Sequence, residues 1–488
     1  MLKRAASCLS SYLLSCVLLF FTAPSSAPAA DTPMRTTLPV PVTRLLERYR
    51  IPASSLGVFV QDVADGRPLL AFNTETAFNP ASTIKLLTTF VALDVLGPAY
   101  TWKTEAYADG NLRENRLQGN LVLKGYGDPY LVTENFWKFA RGLRDLGLEH
   151  ITGDLVGDDS YFDLGPADPG EFDGRPYRAY NAPPDALLLN FQAIRFNFFP
   201  DVPENRVRIV PNPAPANLHI DNRLKLTRGR CEGQMYRIRM NVLDEGDAAG
   251  TVRFSGAYPA ACGTYALSRV VTHGPSFALG VFKSLWTEMG GTIDGRLRTG
   301  KVPAGARPLF GVDSPPLADV IRSINKYSNN VMTRQILLTL GAARYGAPGT
   351  TEKGQKAVED WLRRHHLDFP GLVLDNGAGL SRETRISARS LGRLLLAAHS
   401  HPYMPEFVSS LPIPGVDGTL RDHLRGTPLV GHAHLKTGSL DDVKAIAGYL
   451  RTRSGRTLVV VALQNYRGIQ WGRGAEIQRA LLQWLYGQ

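Results

Sequence analysis

Cysteine is scarce, long apolar runs are few, and no stretch gathers charge of one sign. Only four cysteines occur in 488 residues. Cys8 and Cys16 lie within the first 30, so a disulfide-dense extracellular scaffold is excluded. Cys231 and Cys262 are left as one disulfide or two buried thiols. The ten histidines show no HExxH or comparable ligand spacing, and the aspartate-rich turns lack EF-hand spacing, so no metal or other cofactor is expected. Beyond residue 30 nothing is apolar enough for a transmembrane helix. The formal charge is +11, yet no basic run with interleaved aromatics marks a nucleic-acid surface. Dispersed solvated charge, or contact with an anionic polymer, accounts for it.

What is present begins with an export signal. Lys3 and Arg4 open the chain, residues 12–21 form a short apolar core, and Ala27-Pro28-Ala29 is a small-residue cleavage site. Residues 1–30 therefore read as a signal peptide. The mature chain starts at Ala30 or Asp31 and carries +9, two positive charges fewer. With 44% apolar and 20% charged residues the remainder is an ordinary globular composition, long enough for two or three domains.

The chain is organised around Asn79-Pro80-Ala81-Ser82-Thr83-Ile84-Lys85. The apolar residues from Ile84 to Leu96 leave little polar face, so the spacing predicts a helix buried nearly all round. Residues three apart share a helix face, which sets the Ser82 hydroxyl beside the Lys85 amine. A serine needs a base within reach to become a nucleophile, and lysine serves only if burial or a second cation lowers its pKa. S-x-x-K alone is a weak pattern. Ser323 and Lys326 repeat it, and most such serines cap helices.

Two further motifs give it company. Ser328-Asn329-Asn330 stands at a helix start, and Lys436-Thr437-Gly438-Ser439 precedes a hairpin. Amide cleavage needs a nucleophile, a proton donor for the leaving amine, an oxyanion hole and a grip on the substrate carboxylate. Ser82, Ser328, the N–H groups of Ser82 and Ser439, and Lys436 suit those roles in turn. Asn330 suits the acyl donor's amide, and Gly438 lets a substrate strand approach closely. Ser323-Ile324-Asn325 also fits S-x-N, but Ser328 has a lysine two residues before it and Asn-Asn after it. The ordered trio is the set found in penicillin-binding proteins and class A β-lactamases.

Here the chain resembles the D-alanyl-D-alanine carboxypeptidase/endopeptidases of the class C low-molecular-mass penicillin-binding proteins. The resemblance runs through LKGYGDPYL (123–131), GDLVGDDSYFD (153–163), YNAPPDALLLNFQAIRF (180–196), NGAGLSRETRIS (376–387) and AHLKTGSLDDVKAIAGYLRTRSG (433–455). It implies a periplasmic enzyme whose Ser82 attacks the penultimate D-alanine of a peptidoglycan stem peptide while Lys85 takes the proton. It implies too that Ser328 passes a proton to the leaving group, that the Lys436, Thr437, Gly438 and Ser439 strand binds substrate, and that β-lactams acylate Ser82. In such enzymes an acid in an inserted domain reads the amine of a diaminopimelate side chain. The DDSYF stretch places that role on Asp158, with Asp159 second. Two departures stand out: Ala378 where many relatives carry serine, and S-N-N where S-D-N is usual.

The expected fold is α/β (α+β), a transpeptidase/β-lactamase-like domain with an antiparallel sheet flanked by helices. Hairpin signals at 56–72 and 445–463 supply strands from both chain ends. The 246 residues from Ser82 to Ser328 leave room for a large β-rich insertion between the first and second motifs. The boundaries read as 31–101 and 298–488 for the catalytic domain and 102–297 for the insertion, with a nested module at about 186–268. Two rivals remain. A β-lactamase or esterase is disfavoured by that gap and by the lack of a placed deacylating glutamate. A non-catalytic penicillin sensor or wall-binding scaffold has no need of the Ser–Lys pair.

Overall fold

Alternating small and branched apolar residues at the two chain ends make one five-stranded antiparallel sheet. Its order is Ala433–Leu440, Val443–Arg451, Thr457–Asn465, Leu56–Asp62, Pro68–Phe72. The register sets Val60 against Val460 and Lys436 against Ala447. Successive side chains of a strand point to opposite faces, and here both faces are covered. Val459, Val461 and Leu463 face one core with the helices Lys85–Leu96, Asn330–Tyr345 and Ala388–His399. Leu458, Val460 and Ala462 face a second core under Val40–Arg48 and Arg473–Tyr486. The structure is a computed structural model that describes residues 34–488, except 167, 232, 234–237, 245–249 and 273. The expected signal peptide lies outside the described residues.

The serine helix forms as its spacing predicts, with nine consecutive residues from Lys85 to Leu93 buried. A single 3-10 turn, Ala81–Ile84, leads into it and carries Ser82. The helical texture at 317–343 breaks in two, Leu317–Tyr327 and Asn330–Tyr345. Ser328 lies in the break, in left-handed backbone at φ 59°, ψ 39°. That conformation is uncommon for a residue with a Cβ. It turns the chain so that Ser328 and Asn330 leave the two helices at one place. Helix Val40–Arg48 was not anticipated, although Pro39 and Pro41 suit a helix start and Val42 and Leu46 give it a buried face.

The sequence between the two chain segments that build this sheet forms a separate apolar core with its own seven-stranded sheet. The hairpin Lys103–Arg113 and Arg116–Gly125 is its centre. Strands Leu297–Thr299 and Arg307–Asp313 join it, pairing with Leu155–Asp158 and Lys103–Arg113. This sheet therefore continues past residue 297, and the chain re-enters the first core only at Leu317. Two three-stranded sheets occupy 194–269, in line with the β-rich texture there. The strand expected at 236–242 begins outside the described residues and is seen as Arg239–Asp244. Cys231 and Cys262 form a disulfide, which closes the alternative left open by the sequence. Among the described residues no helix is long and apolar enough to cross a membrane.

Candidate active site

Three segments far apart in sequence meet around Lys85. Asn79 anchors the first. Its Oδ1 accepts from Ala81 N at 2.9 Å, its Nδ2 donates to Ser381 O at 2.9 Å, and its own N–H donates to Asn465 Oδ1 at 2.7 Å. The start of the serine turn is thus tied to the central sheet and to the 376–387 loop. Lys85 Nζ then stands 2.9 Å from Ser82 Oγ and 2.7 Å from Asn330 Oδ1, and it donates to Ala378 O.

That triad of neighbours suits a neutral amine. Asn330 Oδ1 and the Ala378 carbonyl are pure acceptors and take its two N–H donors. The lone pair is left for the Ser82 hydroxyl. Full burial lowers the Lys85 pKa well below the ordinary lysine value, and the positive charges of Lys436 and Arg334 push the same way. The requirement on a lysine base is met by desolvation first and by cations second.

Lys436 forms a second Ser–Lys pair. Its Nζ donates to Ser328 Oγ at 2.8 Å and to Thr437 O at 2.9 Å. Burial lowers its pKa to about 7. Thr437 shares a hydrogen bond with Thr419, Oγ1 to Oγ1, at 2.8 Å, and Ser439 next along is exposed. Between them Gly438 lies against the serine turn. A Cβ there would stand 2.6 Å from Pro80 O and 3.1 Å from Ser82 N. Gly438→Ala must move that strand away from Ser82. A displacement near 1 Å costs about 10^2-fold in rate, so acylation of Ser82 by a fluorescent penicillin is expected to slow by about that factor. Wild-type rates in the variant would remove the close approach from the argument.

Asn330 also spans the seam with the inserted region, because its Nδ2 donates to Tyr180 O at 3.1 Å. Sequence reasoning did not find Tyr180, Thr419, Ala378 or Arg334. Tyr180 and Ala378 act through backbone carbonyls, which carry no side-chain signature. For the same reason the departure at Ala378 is harmless to Lys85: any residue supplies that carbonyl. The decoys have structural work. Asn325 donates to Thr89 Oγ1 and Ser410 Oγ, and Lys326 pairs with Asp417 at 2.6 Å.

Asp158 does not join this group. It is 1% exposed, and its Oδ1 accepts from Ser160 N at 2.9 Å and Ser160 Oγ at 2.6 Å. Its Oδ2 accepts from Val302 N at 2.9 Å and lies 3.5 Å from Lys124 Nζ. Burial alone would raise its pKa, but the bonds from Ser160 and Val302, with the Lys124 charge, hold it below the usual carboxylate range. All its acceptor capacity is spent inside the fold, on a turn whose residues Tyr161 and Asp163 bond to Gly349 across the seam. Asp158→Ala is expected to cost about 2 kcal/mol by denaturant unfolding, the penalty for orphaned buried donors. Because the folded pKa is lowered, the stabilisation is present above the ordinary carboxylate range and fades as pH falls through the folded value. Unchanged stability with altered choice of substrate side chain would return Asp158 to the substrate.

A Ser–Lys nucleophile, a second Ser–Lys pair and a glycine-bearing edge strand on a five-stranded sheet define an active-site-serine, penicillin-binding or β-lactamase-like enzyme. Residues 41–487 match the family model for D-Ala-D-Ala carboxypeptidase 3 (S13). The chain belongs to that family, and its activity is that of a serine-type D-Ala-D-Ala carboxypeptidase. It is 29% identical to a D-alanyl-D-alanine carboxypeptidase of an Actinomadura species, over 99% of this chain and 94% of that one. The crystal structure of penicillin-binding protein 4 from Haemophilus influenzae shares the fold, with a TM-score of 0.75 and 22% identity over 92% of this chain and 99% of that one. That Haemophilus protein has also been solved in complex with a β-lactam. A predatory endopeptidase of Bdellovibrio bacteriovorus aligns at a TM-score of 0.51 and 14% identity over 88% of this chain and 92% of that one.

Proposed function

We propose that the protein is an exported, periplasmic DD-peptidase acting on peptidoglycan stem peptides, with at most peripheral membrane contact. The observation that carries the reading is Lys85 Nζ held between Ser82 Oγ and two pure acceptors. Ser82 Oγ attacks the carbonyl of the penultimate D-alanine as its proton passes to Lys85. The N–H groups of Ser82 and Ser439 receive the oxyanion. Ser328 Oγ delivers a proton to the leaving amine and is resupplied from Lys436, 2.8 Å away. Lys436 and Thr437 hold the terminal carboxylate, and Asn330 holds the acyl donor's amide. Water then attacks the acyl-enzyme, one of its protons passing through Ser328 back to Lys436; Ser82 leaves with the proton that Lys85 holds, and the product acid gives its proton to solvent as the carboxylate departs.

When the leaving amine belongs to a neighbouring stem peptide the same steps open a cross-link, which is endopeptidase activity. A β-lactam acylates Ser82 by the same attack. Its leaving group stays tethered, so hydrolysis is slow. Asp158 supports substrate recognition at one remove, by fixing the 159–163 turn.

The test is mass spectrometry of purified muropeptides incubated with the mature protein. Loss of one terminal alanine from pentapeptides is expected, as is splitting of cross-linked dimers. A folded protein that leaves both untouched overturns the enzymatic reading and favours a penicillin sensor.

A further inference from the structure

The stretch LLLNFQAIRF carries no catalytic group, yet its backbone holds a run of left-handed residues. Asn190, Phe191 and Gln192 follow one another at φ 45°, 58° and 55°. Single left-handed residues are uncommon away from glycine, and a run of three persists only when the surroundings over-determine it. Hydrogen bonds hold this turn: Asn190 N donates to Leu131 O at 2.8 Å, Gln192 N to Leu189 O at 2.7 Å, and Asn190 Nδ2 to Ala193 O at 2.9 Å. Its Phe191 packs against the catalytic core and against a small cluster that contains Val331, the residue after Asn330. Its Asn190 also lines a cavity of about 520 Å³ on the inserted region. That volume lies within the ~300–1,000 Å³ of small-ligand sites.

The first two turns of helix Thr133–Asp145 also line the cavity, with Thr133, Glu134, Trp137 and Lys138. Trp137 is 46% exposed, an unusual state for the largest apolar side chain. Among the described residues its indole N–H has no hydrogen-bond partner, and neither Glu134 nor Lys138 has an ion-pair partner. Arg195 and Asn212, neighbours across two paired strands, complete the rim. Leu285 adds an apolar side, and around it the lining offers one indole face bordered by carboxamides, a hydroxyl, one carboxylate and two cations. An acyl chain or an apolar peptide would cover that face but leave Glu134, Lys138 and the Trp137 N–H without partners at a cost. A pyranose ring has what they need: a C–H face for the electron-rich indole and a rim of hydroxyl and acetamido groups.

We propose that this cavity is a glycan subsite that binds the N-acetylated amino-sugar backbone of the wall polymer. The inference rests on the stem-peptide reading of the catalytic site. It adds that the inserted region grips the sugar strand while Phe191 ties the same turn to the Asn330 helix.

The test uses the mature full-length protein and two readouts. Tryptophan fluorescence follows titration with a soluble, peptide-free oligosaccharide of β-1,4-linked N-acetylglucosamine. Turnover is compared between a short soluble D-Ala-D-Ala peptide and polymeric peptidoglycan. Trp137→Ala is expected to weaken oligosaccharide binding and raise KM for the polymer by about tenfold, with short-peptide kcat/KM unchanged and Trp137→Phe restoring much of the loss. No oligosaccharide binding by the wild type, or equal binding and equal polymer KM in wild type and Trp137→Ala, overturns the subsite while leaving the peptidase reading intact. Loss of short-peptide turnover in Trp137→Ala overturns it as well, in favour of a structural role. Failure of the wild type on every peptide sinks the catalytic reading instead, and the binding titration still decides the subsite.

Discussion

Ser82→Ala is expected to lower kcat on a stem pentapeptide by at least about 10^4-fold and to abolish covalent labelling by a fluorescent penicillin. The size follows from the geometry. Ser82 Oγ is the hydroxyl that Lys85 Nζ can deprotonate directly, at 2.9 Å. Ser328 Oγ instead accepts a hydrogen bond from Lys436 Nζ at 2.8 Å. Removing Oγ leaves the Asn330 and Ala378 acceptors on Lys85 in place, so the buried amine is not orphaned and the fold should hold. Thermal unfolding of the variant should match the wild type. Residual turnover above about a hundredth of wild type would move the nucleophile elsewhere. Wild-type protein that is labelled but never turns over muropeptides would be a sensor that kept the Ser–Lys pair.

How far the sequence discloses this site depends on which atoms do the work. Ser82, Lys85, Ser328, Asn330 and Lys436 act through side chains whose chemistry admits few substitutes, so their motifs are visible in one sequence. Their meeting is supported by groups that leave no such trace. The Ala378 and Tyr180 carbonyls are backbone, and Arg334 looks like any arginine on a helix until its position behind Lys85 is known. The break at Ser328 is half legible: Ser328-Asn329-Asn330 reads as a helix start, but the left-handed backbone that brings Ser328 beside it carries no side-chain signature. The five-stranded sheet was readable from alternation at the two chain ends. The end of the inserted sheet was not, since Arg307–Asp313 pairs with a hairpin about 200 residues earlier and periodicity carries no pairing information. Asp158 shows the opposite limit. A resemblance places a carboxylate near substrate, but the Ser160, Val302 and Lys124 contacts that consume it appear only in three dimensions.

The second large effect concerns pH. In the free enzyme kcat/KM for a D-Ala-D-Ala peptide should fall on both sides of an optimum. On the acid side Lys85 gains a proton and ceases to be a base. Its strongly lowered pKa puts that limb far below the ordinary lysine range. On the alkaline side Lys436 loses its proton through about 7, and with it the grip on the substrate carboxylate. A bound carboxylate favours the charged form, so the alkaline limb of kcat should lie at higher pH than that of kcat/KM. Lys436→Arg keeps the charge at any working pH and should remove the alkaline limb from kcat/KM, at some loss of rate from the altered reach. Lys436→Met should instead move the acid limb upward, because the Lys436 charge is one of the causes that keep Lys85 neutral. Stability follows the same linkage with a definite sign. Between about 7 and the ordinary lysine value near 10.5 the unfolded chain holds a proton that folded Lys436 has shed. Unfolding free energy contributed by this group therefore rises with pH across that window. An alkaline limb that survives Lys436→Arg, or a stability curve that is flat through the window in wild type, would show that Lys436 is charged in the free enzyme and that burial does not govern it.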